Sequence, residues 1–296
     1  MDYMIKIALI IVCTVVPVCM SAQNGQGMEI GHTGVAVTGQ TTAGGTVSAL
    51  SGRVSYGLKQ SPVLSVAATA RWQRTGVWPD DCTSAGLPLS PGDAGISGTH
   101  DVVSVGADAG VRTLMFGKPL VGFGMLRGDI SPYGMERVSI MAAGILMLRA
   151  DRNTQFGVGP MLLLGTSSWW PLFPMFIWRH RVSDRLTVSL YGCIGGADWQ
   201  LTRRDRLTAG FDIDSRSFYF RPHTGDMPSV CRYVHTVFRP MVKYRRQLSP
   251  AFSAEVESGI EMNMSNRVYG RTGTHCYMEM TPRPVPFVQA VLSWRP

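Results

Sequence analysis

The chain has 296 residues, of which 45% are hydrophobic and only 16% are charged, and it carries a formal net charge of +8. This composition is too apolar for a disordered protein, and a positive charge without a basic helix or a nucleic-acid motif argues against nucleic acid as a partner. The sequence also lacks phosphate-binding, metal-ligand and catalytic motifs, so we expect no cofactor, no metal site and no enzymatic activity.

The first 22 residues have the three-part layout of a secretory signal peptide. A short start with a single lysine, Lys6, precedes an apolar run over 7–18, and small residues then precede a polar stretch. The apolar run is too short to span a membrane as a helix. We predict a signal peptide over 1–22, a short polar N-terminal segment over 23–29 and one domain over 30–296. An exported chain of this kind is soluble, surface-attached or a closed barrel.

Alternation of apolar and polar residues indicates β-strands along most of this domain. The first clear examples lie at 64–73 and 103–112, where every second residue is apolar. A period of two fits a strand with one face toward lipid and the other toward water. The middle of the chain differs, because 138–148 and 172–177 are apolar on both faces. There we infer strands from segment length and from the flanking turn residues.

The pattern is clearest in two segments, 233–246 and 252–264, which a predicted tight turn connects. One row of each segment is mainly apolar, whereas the other row is basic in the first segment and acidic in the second. A hairpin would place Lys243 near Glu255 on the same face. Because lipid would accept neither charged row, both rows are expected to face a polar interior.

Charged residues at corresponding positions of other segments extend this polar interior. Arg239 is expected within diagonal reach of Glu257 or Glu261, and the outward row should include Thr236 and Met264. The predicted lumen-lining residues are Arg71, Asp108, Arg112, Asp212, Asp214, Arg239, Lys243, Glu255, Glu257 and Glu261.

Short connections alternate with longer ones, which is typical of barrels with short periplasmic turns and long outer loops. The predicted longer connections are 76–100, 221–229 and 267–283. Counting by this rule predicts an all-β, transmembrane, antiparallel up-and-down β-barrel of about 14 strands, with a range of roughly 12–16. The expected location is the cell outer membrane, and the expected partners are outer-membrane lipid and the barrel-assembly machinery.

Four cysteines remain beyond the predicted signal peptide, and all map to the predicted outer side or to outer strand ends. An oxidising compartment permits disulfides, and four cysteines allow three connectivities. Cys231 and Cys276 lie in neighbouring long loops and are the first predicted pair, with Cys82 and Cys193 as the second. Free thiols are the alternative.

The histidines give weaker signals. His100 beside Asp101 and His223 near Asp226 lie on predicted outer loops, where an outer-membrane hydrolase could place catalytic groups. No nucleophile motif accompanies them, so we predict no catalytic residues.

One stretch, 156–220, resembles a known family. Its segments are Gly157-Val158-Gly159, Trp170-Pro171-Leu172-Phe173-Pro174, Arg181-Val182-Ser183-Asp184-Arg185-Leu186 and Arg203-Arg204-Asp205-Arg206-Leu207. Together they resemble an uncharacterised family of Gram-negative outer-membrane β-barrels that is known by a domain of unknown function. The resemblance implies a fold and a location, and it implies no activity and no functional residues.

Two functional hypotheses follow from the predicted barrel. The first is a pore or solute-transport barrel, because a polar, charged lumen suits the passage of solute. The second is a structural or surface-interaction barrel without transport activity, in which the charged rows pair across the lumen and make it rigid. An outer-membrane hydrolase is a third and weaker hypothesis.

Overall fold

The computed structural model describes residues 33–42, 47–77, 84–85, 95–165, 171–223, 227–271, 275–280 and 283–295. The predicted signal peptide over 1–22 and the polar segment over 23–29 lie outside these ranges. Among the described residues there is no helix with the length and apolar character needed to cross a membrane.

The described residues form sixteen strands. Their bounds are β1 (Gly34–Thr42), β2 (Val47–Gln60), β3 (Leu64–Val77), β4 (Ser84–Ala85), β5 (Gly98–Met115), β6 (Lys118–Ser131), β7 (Gly134–Ala150), β8 (Thr154–Leu164), β9 (Leu172–Arg181), β10 (Leu186–Tyr191), β11 (Ile194–Gln200), β12 (Asp205–Phe220), β13 (Cys231–Gln247), β14 (Phe252–Gly270), β15 (Cys276–Met280) and β16 (Val285–Trp294).

Fourteen of these strands close into one antiparallel barrel. Neighbours in the chain pair with each other, β3 pairs with β5, and the last strand, β16, closes the ring by pairing with both β14 and β1. The short strands β15 and β4 continue outward from β14 and lie outside the ring. A closed ring leaves no unpaired strand edge, which hydrocarbon requires. The predicted all-β fold with about 14 strands is confirmed.

Tight turns at one end of the barrel share one hydrogen-bonding pattern. The side-chain oxygen of the first turn residue accepts a hydrogen bond from the backbone N–H three residues later. This local hydrogen bond favours a turn over continuation of the extended strand. The pairs are Ser61 with Leu64, Asp151 with Thr154, Ser183 with Leu186, Thr202 with Asp205 and Ser249 with Phe252. At the second of these turns, the Thr154 amide and the Arg149 guanidinium hold the pKa of the Asp151 carboxyl below its usual value.

Alternation along each strand separates the two surfaces of the barrel wall. On β14 the outward residues Val256 and Ile260 are 51% and 46% exposed, whereas the inward residues Glu257 and Glu261 are 1% and 2% exposed. This is the reverse of a soluble protein, whose apolar residues are inside. The outer surface is therefore apolar, as a bilayer requires.

A bulge interrupts the regular alternation near the outer end of β14. The register shifts between Thr236 and Val237, so β14 carries one additional residue at this point. Met264, predicted to continue the outward row, keeps that face, because it packs against Ile213, which lies opposite the outward Phe238. Thr236, also predicted outward, has no exposed surface, and its hydroxyl lies 3.2 Å from the Ser215 hydroxyl. A bulge changes the side-chain direction locally, and the alternation alone could not reveal it.

Strands β5 and β12 stand opposite each other in the ring, yet they approach each other across the lumen. The His100 ring on β5 stacks on the Phe218 ring of β12, with 4.1 Å between the ring centroids. The approach divides the lumen into two halves. We call the half lined by β6–β11 the apolar half, because its strands β6–β9 carry a buried apolar cluster. The half lined by β1–β3, β13, β14 and β16 is the polar half.

The apolar half explains why the middle of the sequence is apolar on both faces. Its inward side chains form one buried cluster: Met125, Met141, Ala143, Ile145, Met147, Met161, Leu163, Phe173, Met175 and Ile177. The alternate residues of the same strands, such as Ile140 and Phe176, are exposed on the outer surface. Close packing also needs small residues, because a Cβ at Gly159 would collide with the carbonyl oxygen of Gly144.

An arginine placed on the apolar outer surface tests this assignment of faces. We expect Val288→Arg to lower the free energy of unfolding in a bilayer by about 2–4 kcal/mol, because the outward-facing residue 288 would carry its charge into hydrocarbon. The control is Val182→Arg, at an exposed position in the turn between β9 and β10, which should change stability by less than about 1 kcal/mol. Urea unfolding followed by tryptophan fluorescence measures both. Equal costs for the two variants would contradict the assignment.

Candidate functional site in the polar half of the lumen

The polar half contains a dense set of charged side chains that we call the lumen network. It joins three strands that are adjacent in the ring, β12, β13 and β14, to β1 on the other side of β16. Its members are Gln40, Asp212, Asp214, Arg216, Arg239, Lys243, Glu255, Glu257 and Glu261.

Arg239 is the centre of this network. Its guanidinium donates two parallel hydrogen bonds to the Asp212 carboxylate, at 2.9 and 2.8 Å, and one to Asp214 at 3.3 Å. Glu257 lies 3.8 Å away, as the diagonal pairing predicted. The guanidinium carbon also lies 5.1 Å from the ring centroid of Phe287. Arg239 is only 3% exposed, so its charge depends on these partners rather than on water.

Lys243 forms the second group of contacts. Its ammonium nitrogen lies 3.4 Å from Glu255 and 3.0 Å from Glu257. The predicted neighbourhood of Lys243 and Glu255 is therefore confirmed, although the strand register places Lys243 directly opposite Glu257. The pairing of a basic row with an acidic row is what the alternation of the two segments predicted.

Two members of the network were missed in the sequence. Arg216 donates to Asp214 at 2.7 Å and lies 3.2 Å from Glu261, and Gln40 accepts from Arg216 and donates to Glu261. Arg216 continues the two-residue spacing of Asp212 and Asp214, so that spacing could have revealed it. Gln40 has no such signal, because its strand lies far from β12 in the chain.

Three predicted lumen residues lie apart from the network. Asp108 pairs with Arg53 of β2 at 3.0 Å. Arg112 lies on the same face of β5 as Asp108 but is exposed near the turn end of the strand. Arg71 of β3 lines a small cavity beside the network. The structure thus brings together the predicted residues of β12, β13 and β14 and leaves the others separate.

The outer end of the lumen is covered by apolar and aromatic side chains. Phe218, Phe220, Tyr233 and Met278 belong to a buried cluster that also includes residues of the outer connections. Strand β15 extends this cover from the outer part of β14. Little of the lumen interior is therefore open to solvent from this side.

One ion pair fastens this cover to the opposite wall, and we call it the outer latch. Arg271 follows β14 directly, and its Nε lies 2.6 Å from a carboxylate oxygen of Glu136 on β7. The Glu136 side chain is fully buried and also accepts from the Ser131 hydroxyl at 2.7 Å. Arg271 additionally donates to the Met135 carbonyl at 3.2 Å. The segment after β14 is thereby held to the β6–β7 hairpin.

The structure corrects the predicted disulfide. Cys231 and Cys276 are both free thiols. Cys231 is on β13, which pairs with one edge of β14, whereas Cys276 is on β15, which pairs with the other edge. Two strand spacings of about 4.8 Å separate them, and a disulfide cannot bridge such a distance. Cys193 is also free, and its predicted partner Cys82 lies outside the described residues.

The predicted outer histidine at position 100 has a packing role. Besides stacking on Phe218, its Nε2 lies 2.9 Å from the Ile96 carbonyl oxygen. In the described ranges, no group of three or more His, Cys, Asp and Glu residues is arranged to hold a metal ion.

Comparisons with known proteins add little beyond this geometry. No protein-family model and no curated protein matches the chain. Solved structures whose chains follow a similar path include an outer membrane channel from Pseudomonas putida F1. The sequence identity is 9%, the match covers 92% of this chain and 98% of that chain, and the TM-score is 0.43. Another is the toluene transporter TodX from Pseudomonas putida, with 10% identity, coverage of 96% of this chain and 92% of that chain, and a TM-score of 0.33. A third is the outer membrane protease OmpT from Escherichia coli, with 11% identity, coverage of 89% of this chain and 94% of that chain, and a TM-score of 0.24.

Removing the central charge of the network should destabilise the barrel. We expect Arg239→Met to lower the free energy of unfolding by about 3–5 kcal/mol, because buried carboxylates lose their counter-charge. Adding Asp212→Asn to this variant should restore part of the loss. The control is Arg74→Met, which breaks a largely exposed ion pair with Asp101 and should cost less than about 1 kcal/mol. Urea unfolding measures all three, and a cost for Arg239→Met no greater than the control would contradict the stabilising role.

Proposed function

We propose that this chain is an outer-membrane β-barrel that passes a small polar solute, and that its lumen is closed in the state described here. The observation that carries the proposal is the lumen network, a concentration of charged side chains with no counterpart in the buried apolar cluster of β6–β9. A closed ring with an apolar outer surface supports the membrane location. Outer-membrane lipid and the barrel-assembly machinery are the partners that this location implies.

The cost of burying charge supports passage over a purely structural role. Buried ion pairs are often no more stable than apolar side chains of similar volume, because each charge loses its hydration. The apolar half shows that this chain can fill a lumen with methionine, leucine and phenylalanine. A barrel that served only as a scaffold could fill its other half in the same way. Charged walls are useful where water and polar solute enter.

Closure of the lumen is part of the proposal. The outer latch and the aromatic cluster cover one end, and the charged side chains of the lumen network are engaged with one another within the polar half. An open porin would instead expose its lumen charges to water. We therefore propose a gated path in which the cover must move before solute enters.

The same proposal includes no enzymatic activity. His100 is one of the two histidines on which the hydrolase hypothesis depended. Its ring stacks on Phe218, and its Nε2 lies 2.9 Å from the Ile96 carbonyl oxygen. These contacts occupy one face of the ring and one ring nitrogen, which a general base would need to keep available.

A structural or surface-interaction barrel is the second candidate. The observation that favours it is the pairing of the charges themselves, since Arg239 and Lys243 each contact more than one carboxylate. A network with this many ion pairs makes the lumen rigid. The two candidates differ in one measurable property, which is whether opening the outer latch produces a conducting path.

Loosening the outer latch should therefore increase conductance. Glu136→Gln removes the negative charge that holds Arg271, and hydrogen bonds to charged groups contribute about 1.5–3 kcal/mol. We expect the unaltered barrel to open rarely in planar bilayers and the variant to open about tenfold more often.

The matched control for this variant is Asp101→Asn, which breaks the largely exposed ion pair with Arg74 at the outer ends of β3 and β5. It should leave the opening frequency unchanged. If Glu136→Gln folds, migrates as a heat-modifiable barrel and still never conducts, the passage function is wrong and the structural candidate is favoured.

A further inference from the structure

A small cavity in the polar half has an excess of hydrogen-bond donors. It measures about 20 Å³ and lies where β12 faces β1–β3 and β16. Its wall includes Arg71, Arg216, Gln289, Ser51, Thr38 and Asp214. The volume is enough for a water molecule or for an ion of similar size.

Arg216 is the strongest evidence that this cavity takes a ligand. The residue is 93% buried, since its exposed fraction is 7%, and its Nη1 atom has no hydrogen-bond partner. Its other guanidinium nitrogens are engaged by Asp214, Gln40 and Glu261. A buried donor without a partner is costly, and most such donors in folded proteins are satisfied by water or by a ligand.

Arg71 faces the same cavity from β3. Within the described part of the chain its guanidinium makes no hydrogen bond and no ion pair. The Gln289 amide, 6% exposed, likewise has no hydrogen-bond partner among the described residues. Two arginines and one amide therefore present unused donors to one small space.

The acceptors in the cavity wall do not match these donors. Asp214 is the only carboxylate among its described lining residues, and it already accepts hydrogen bonds from Arg216 and Arg239. Water would satisfy some donors, but it would add no negative charge, and Asp214, the carboxylate that acts most strongly on Arg71, is already paired with Arg216 and Arg239. A small anion supplies both acceptor capacity and negative charge.

We propose that this cavity is a binding site for a small anion, either free chloride or the carboxylate group of a solute. Arg71 and the Nη1 group of Arg216 hold the negative charge, and Gln289 donates a neutral hydrogen bond. Asp214 opposes an anion electrostatically, and Arg71, which makes no ion pair within the described part of the chain, supplies the positive charge that offsets this repulsion. The further step of taking this anion as the class of solute that the lumen passes rests on the proposed passage function. The binding of an anion in the cavity does not rest on it.

Binding can be measured without any current through the barrel. The detergent-solubilised full chain is heated in sodium gluconate, sodium chloride and sodium formate at equal ionic strength. Gluconate is too large for the cavity and serves as the reference. We expect chloride or formate to raise the unfolding temperature of the unaltered protein by about 2–4 °C, and bromide soaked into crystals to give an anomalous peak between Arg71 and Arg216.

Variants separate this site from a general salt effect. Arg71→Gln should abolish the rise in unfolding temperature, whereas Arg112→Gln, which removes an exposed arginine from the same lumen surface, should retain it. If Arg71→Gln does not fold, Gln289→Leu replaces it and should reduce the rise. A chloride-only rise indicates the free ion, and a rise with formate indicates the carboxylate group.

Two results would overturn the inference. One is an undiminished rise in the folded Arg71→Gln protein, and the other is the absence of both a rise and a bromide peak, which would leave water in the cavity. Anion binding that persists in a barrel that never conducts would reject the passage function and retain the site.

Discussion

Closure of the strand ring is the constraint on which the rest of the structure depends. Every backbone N–H and C=O group in a lipid-facing wall needs a partner within that wall, because hydrocarbon offers none. The ring is completed by β16, which pairs with β14 on one edge and β1 on the other. Closure also fixes the two faces of each strand, so that the apolar row lies outside and the remaining row must be accommodated inside.

The inside row is accommodated in two different ways. In the apolar half, large methionine, leucine and phenylalanine side chains pack together and exclude water. In the polar half, carboxylates, arginines and a lysine form ion pairs at distances of about 3 Å. Strands β5 and β12 approach each other between the apolar cluster and the lumen network. This separation is the structural basis for the proposal that only one half carries a solute.

Local patterns in the sequence predicted much of this arrangement. Alternation placed Lys243 near Glu255 and Arg239 near Glu257, because residues on one face of a hairpin must meet. Ser249 and Asp151 marked turns, because their side chains can accept a backbone amide three residues later. These features depend on residues close in sequence, and a single strand or hairpin is sufficient to reveal them.

Features that depend on distant residues were not predictable in the same way. Gln40 joins the lumen network only because ring closure brings β1 near β14. The β5–β12 approach also has no local signature. The bulge at Met264 shifted the register of β14, and the insertion of β14 between β13 and β15 separated Cys231 from Cys276. Each is a property of the whole ring rather than of one segment.

The position of β16 has a consequence for the order in which the barrel is assembled. Gln40 and Glu261 become neighbours only when this C-terminal strand has been inserted between the strands that carry them. Until then Glu261 lacks one of its hydrogen-bond partners, and the ring has two open edges. The pairing of Glu261 with Gln40 and the closure of the strand edges are therefore completed in one late event. Before that event the open edges of β14 and β1 would remain hydrated, and the chain would enter hydrocarbon poorly.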